Sequence, residues 1–241
     1  MRIFSFLLLT FLWLCPTGVQ AEHLHEWLIP LRDAVFAQVI SADEVVPLYR
    51  SANAVSRERL SGTDLDLALS RGEFLMGQAL LFEERNQEAR LHFLEGMRLA
   101  QAVTETSPSA LAWLLRAEHL SRLSHIGPWS FTVANGLDVE RFANNALSFN
   151  SRSAAAQYLV AARWVFAPAA FRNLNRGISM MKAIIENSDM EKDDRFNVYS
   201  AIGFAYLQQR NRAAQARPWL ERALEIYPTN RFAARLLDGI R

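Results

Sequence analysis

Residues 199–228 read YSAIGFAYLQQRNRAAQARPWLERALEIYP. Apolar side chains recur at the helical period on both sides of a polar stretch around Gln209–Arg212, so the segment predicts two helices, about Arg195 to Gln209 and Ala213 to Tyr227. The pattern is Tyr199-x2-Ile202-Gly203-x2-Tyr206, then Ala216-x3-Leu220-x2-Ala223-x4-Pro228. An earlier stretch repeats it: Met76-Gly77-x2-Leu80, then Ala89-x3-Phe93-x2-Gly96. Between them lie two looser versions. One has Trp113, Ala117 and Leu120 followed by Val139, Ala143 and Ala146; the other has Val160, Ala161 and Trp164 followed by Gly177, Met181 and Ile184. The small residues Gly77, Ala117, Ala161 and Gly203 are spaced by 40, 44 and 42. Internal repetition at such a period is the mark of a stacked repeat array.

These units resemble the tetratricopeptide repeat, over about residues 70 to 235. The family's period is about 34 residues, so the units here would carry loop insertions. The resemblance implies antiparallel helix pairs that meet where small residues let backbones approach. Gly203, Ala216 and Ala223 would be those contacts; Tyr199, Ile202, Tyr206 and Leu220 would fill the seam, and Pro228 would end the second helix. The expected fold is therefore an all-α, tetratricopeptide-like helix-pair solenoid of about 10–11 helices with extra N-terminal helices. A plain helical bundle is the alternative; the solenoid accounts better for apolar faces that no single pair can bury.

The rest of the chain reads as helix after helix. Segments from about Pro30 to Val39 and Asp43 to Leu60 precede the array, and Ser61-Gly62-Thr63-Asp64 is a break rich in helix caps. A long helix is expected from about Leu65 to Glu84. His125 to Trp129 forms a loop around Gly127-Pro128, and Asn135-Gly136 is a second turn signal. The expected division is 1–21, a signal peptide; 22–69, N-terminal helices packing on the array; and 70–241, the repeats.

The first 21 residues carry the export signal. Arg2 precedes the apolar run Ile3–Leu14, Pro16 and Gly18 break it, and Val19-Gln20-Ala21 places small residues before a cut at Glu22. A membrane span needs roughly 17–25 residues, so the run predicts cleavage after Ala21 and a periplasmic product, with no integral membrane segment. Cys15, the only cysteine, offers a lipid anchor instead, against which the bulky Trp13-Leu14 before it argues.

Charge excludes one class of partner. Arg2 is the only charged residue before residue 22, so beyond it basic and acidic side chains balance at 25 each. A neutral chain with scattered arginines gives no footprint for nucleic acid. No G-x-S-x-G, H-E-x-x-H, Walker or C-x-x-C motif is present. His23 and His25, flanked by Glu22 and Glu26, make at best a two-ligand metal site, and acidic pairs such as Asp193-Asp194 sit where helix termini favour negative charge. No enzyme activity, metal or cofactor is expected.

In a tetratricopeptide solenoid one face of each first helix lines a concave groove. The resemblance places Arg71, Phe74, Phe82, Arg122, Tyr158, Phe166 and Phe204 there as partner-binding residues, with Gln78, Leu81, Leu114, Glu118, Ala162, Val165, Ser200, Leu207 and Gln208 beside them. Either this apolar groove is open, or the helices of residues 30–60 fill it. The expected function is a scaffold taking a protein or peptide into the groove. A second likeness, to the T-component of tripartite ATP-independent periplasmic transport systems, rests on Tyr158–Pro168 running into Asn175-Arg176-Gly177. It implies a small apolar-ligand carrier working with a transporter's solute-binding component. A hydrolase built on His125 or the carboxylates is the third reading.

Overall fold

The structure, a computed structural model, describes residues 24–188 and 190–240. The export signal, Cys15, the cut after Ala21 and His23 lie outside the described residues. A 3-10 turn at Glu26–Leu28 leads into α1 (Ile29–Ala37) and α2 (Ala42–Arg59). There follow α3 (Gly62–Phe82), α4 (Asn86–Thr106), α5 (Ala110–Ile126), α6 (Trp129–Phe149), α7 (Ala154–Phe166), α8 (Leu174–Asn187), α9 (Lys192–Leu207), α10 (Ala213–Ile226) and α11 (Arg231–Asp238). No strand occurs among the described residues. Short polar side chains start many of these helices: Ser41 and Glu44 form a capping box on α2, and Ser109, Ser153, Asn173 and Asn230 accept first-turn amides of α5, α7, α8 and α11.

Four helix pairs follow one another: α3/α4, α5/α6, α7/α8 and α9/α10. The seams are built as the repeat spacing implies. A Cβ on Gly203 would lie 2.6 Å from Leu220 Cδ2, and one on Gly77 would lie 2.7 Å from Phe93 Cε1. Both are closer than side chains can pack, so glycine is what brings each pair together. In the middle pairs alanine serves: Ala117, Ala143 and Ala146 share one buried cluster, and Ala161 shares another with Met181 and Ile184.

Two boundaries differ from expectation. α3 begins at Gly62, ahead of residue 70, where the repeats were expected to start. α6 runs unbroken through Asn135-Gly136. The Asn135 side-chain amide donates to the Phe131 carbonyl one turn back, and Phe131 packs against two cores, so tertiary contacts hold as helix a dipeptide that reads as a turn.

The array is covered at one end by α1, which packs on Phe74 and Phe82 of α3. The first helices of the pairs, α3, α5, α7 and α9, touch in succession. α1 then bridges the ends. The Phe36 ring lies 6.5 Å from Phe82 of α3, 5.8 Å from Phe196 of α9 and 5.5 Å from Tyr227, just past α10. The Asn230 side-chain amide donates to the Phe36 carbonyl at 2.8 Å, and the Thr229 hydroxyl to that of Ala37 at 2.6 Å. One apolar core therefore joins Leu31, Val35 and Phe36 to Phe74 and Leu75 at the beginning and Ala223, Tyr227 and Ala233 at the end.

Candidate partner-binding surface

Closure gives the array an inner face, and charge concentrates there. Arg71 of α3 donates to Glu118 of α5 at 2.7 Å, with 14% and 13% of the side chains exposed. Arg32 of α1 is held by Glu191 at 2.9 Å and meets Asp193 of α9 at 3.5 Å. Asp33 accepts from Lys192 and from the Tyr227 hydroxyl, both at 3.1 Å. Burial works against the Arg71 charge, but Glu118 and Asp193 more than offset it; burial also pushes the Glu118 carboxyl up against the pull of Arg71. The first of these pairs crosses from α3 to α5 and the second from α1 to α9.

The seven sequence-derived positions divide along this face. Phe74 is 6% exposed and packs against Phe93 and His119, so it belongs to the core. Arg71 is consumed by Glu118, and Phe82 is half-buried beside Phe36. Gln78, Leu114, Val165 and Ser200 are buried as well. The apolar groove expected across all four pairs is thus shut at its α3 side, because α1 packs there, with Phe36 meeting Phe82 of α3 and Phe196 of α9. Arg122, Tyr158, Phe166 and Phe204 form the accessible remainder. Phe166 stacks on Phe204 at 5.2 Å and 24° and still exposes 48% of its surface. Arg122 faces Phe74 at 5.8 Å, and Tyr158 lies across from it on α7.

Asp193 and Asp194 open α9 and were legible only as helix-terminal charge. Asp194 does close a capping box with Glu191. The ring also buries it. Burial, reinforced by the Asp193 charge, pushes the Asp194 carboxyl up to about 8. A carboxyl raised on folding holds its proton more tightly in the folded chain than in the unfolded one. Its contribution to stability is therefore fully present at acid pH and lost as pH rises from the ordinary carboxylate range through about 8. Asp194→Asn keeps the shape and the cap acceptor but cannot ionise. In thermal unfolding its advantage over the natural chain should be small near about pH 5 and larger near about pH 8.5. An advantage independent of pH would show that Asp194 is ionised and solvated.

The described histidines have separate surroundings. His119 is fully buried, with Nε2 at 3.1 Å from both the hydroxyl and the carbonyl oxygen of Ser70, and burial pushes it down to about 3. His92 pairs with Glu73 at 2.6 Å. His125 makes no hydrogen bond to any described residue, so the hydrolase reading has no base, carboxylate and nucleophile in line there. Among the described residues no group of three or more side chains could hold a metal ion, and no helix is long and apolar enough to cross a membrane. A hollow of about 290 Å³ lies on α4, lined by Leu94, Met97, Arg98, Gln101, Ala102 and Glu105. All six residues belong to one helix, so it is a surface dent and not a carrier's enclosure.

The fold is that of tetratricopeptide-like helix pairs. No family model matches the chain, and no curated protein matches it. Among solved structures it is similar to YrrB, described as a TPR protein with an unusual peptide-binding site, at 15% sequence identity over 90% of this chain and 92% of that one, with a TM-score of 0.36. The tetratricopeptide character of the pairs stands on their own packing, Gly77 on Phe93 and Gly203 on Leu220.

Proposed function

We propose that the chain is an exported protein-binding scaffold that receives a segment of its partner on the accessible part of the inner face, between α5, α7 and α9. The observation that carries this is the Phe166–Phe204 stack. An aromatic side chain 48% exposed and held in place by a second, half-buried ring is a ready anchor for a partner's apolar side chain. Two χ angles and a stacked neighbour leave Phe166 little freedom to lose on binding. Export rests on Arg2, the run Ile3–Leu14 and Val19-Gln20-Ala21. The inner wall is lined by ion pairs, which suits a peptide better than a wholly apolar ligand.

A photo-cross-linking residue installed at Phe166 in the full chain, expressed in cells that export it, tests the reading. The mature form, with Glu22 as its first residue, should give a discrete cross-linked product. The same residue installed at Arg98 on α4 should give none. Equal labelling at both positions, or a cytosolic product still carrying Met1, would contradict it.

A further inference from the structure

From residue 22 onward acidic and basic side chains are equal in number, but they are not evenly placed. Residues 164–185, from the end of α7 through most of α8, carry Arg172, Arg176 and Lys182 and no acidic side chain. Residues 195–220, from the first turn of α9 into α10, carry four arginines and again no acid. The two stretches meet where the α7–α8 and α9–α10 loops lie side by side. There Arg212 Nη1 donates to Asn175 Oδ1 at 3.0 Å, and Phe166 stacks on Phe204 at 5.2 Å. Arg172, Arg176, Arg210 and Arg212 gather at this edge. None of them is in an ion pair among the described residues; Arg176 and Arg210 are exposed, and the other two are half-buried.

The α7–α8 loop carries an apolar tip out of this cationic base. Its root is fixed. The Asn173 amide donates to the Trp164 carbonyl at 2.9 Å, and the Trp164 ring meets the guanidinium groups of Arg163 at 5.1 Å and Arg176 at 4.0 Å. At the tip the Phe171 amide donates to the Pro168 carbonyl at 2.8 Å, which closes a tight turn. From Phe166 to Phe171 the loop reads FAPAAF, without a charge. Ala169, Ala170 and Phe171 are exposed, and Phe171 keeps 63% of its surface in water.

A surface that satisfies this edge needs two layers: an apolar one for Phe171, and an anionic one at the level of the arginines. A soluble polyanion answers the arginines and leaves the ring in water. A neutral apolar surface covers the ring and leaves the arginines unanswered. An anionic bilayer has both layers in the right order, with headgroup phosphates outside acyl chains.

We propose that the α7–α8 loop is a peripheral membrane-docking tip: Phe171 enters the headgroup–acyl boundary of an anionic bilayer, while Arg172, Arg176, Arg210 and Arg212 hold lipid phosphates. This goes beyond the reading of the inner face and does not depend on it. A protein docked in this way offers its inner face to partners at the membrane surface.

Co-sedimentation with vesicles tests it, using protein that begins at Glu22 so that the apolar run Ile3–Leu14 plays no part. The protein should sediment with phosphatidylcholine vesicles containing about one third phosphatidylglycerol, and not with phosphatidylcholine alone. Each arginine near an anionic surface strengthens binding about fivefold. Arg172→Gln with Arg210→Gln should therefore weaken it by about tenfold or more, and about 1 M salt should abolish it. Phe171→Ser should weaken it about tenfold and leave the melting temperature unchanged, because the ring is mostly in water already. Leu91→Ser removes an equally exposed apolar side chain from α4 and should change nothing. The proposal is overturned if the anionic vesicles do not bind, if both vesicles bind alike, or if the double arginine variant binds as the natural chain does. Loss of binding in the arginine variant with none in Phe171→Ser also overturns it, and assigns the edge to a soluble polyanion.

Discussion

Phe36→Ala should cost the folded state about 3–5 kcal/mol. Phe36 is 3% exposed, and its ring meets Phe82, Phe196 and Tyr227 at 5.5–6.5 Å. Truncation removes one side chain and leaves three rings from three parts of the chain around a void. The surrounding helices belong to opposite ends of the array, so they cannot collapse into that void without changing the curvature of the whole. The loss should therefore come with a larger radius of gyration in solution scattering. Denaturant unfolding gives the first quantity. A loss under about 1 kcal/mol, at the low end of what point substitutions do, would mean that α1 lies against the array without closing it.

Gly96→Ala should be nearly as damaging, although alanine is the better helix former by about 1 kcal/mol. A Cβ at Gly96 would stand 2.1 Å from His119 Cε1 and 2.3 Å from its Nε2. That imidazole is fully buried between Phe74 and Phe93 and is tied to Ser70, whose hydroxyl in turn donates to the Gly96 carbonyl at 2.8 Å. The ring has nowhere to go, so overpacking at the upper end of the usual range, about 3 kcal/mol, should outweigh the gain in propensity. Gly136 supplies the internal control. It sits inside α6 with nothing within 4 Å of a new Cβ, so Gly136→Ala should stabilise. Opposite signs in thermal unfolding are the expected result. If both glycines tolerate alanine equally, the three-helix contact at His119 is looser than it is drawn.

What the sequence carried well was the seam within each pair. Gly77, Gly203, Ala216 and Ala223 sit against their partner helices because a helix hairpin is local, and spacing alone fixes which residues face across it. Phe166 and Phe204 were also legible, since the repeat register puts both on the inner wall. Curvature was not. Whether four pairs run straight or bend until both ends meet α1 depends on contacts between distant residues, such as Asn230 to the Phe36 carbonyl. No window of sequence holds both partners. For the same reason Phe74 reads as groove and is core, and Asp193 and Asp194 read as helix-terminal charge and are half-buried. His119 likewise finds its partner, Ser70, on another helix.

The bridge made by α1 also sets an order of events during manufacture. A linear repeat array can settle one unit at a time as the polypeptide emerges. Here Leu31, Val35 and Phe36 share a core with Tyr227, Asn230 lies against the Phe36 carbonyl, and that last contact spans 194 positions. One side of the earliest helix is covered by α3 soon after both are made, while the other waits for residues 194 positions further on.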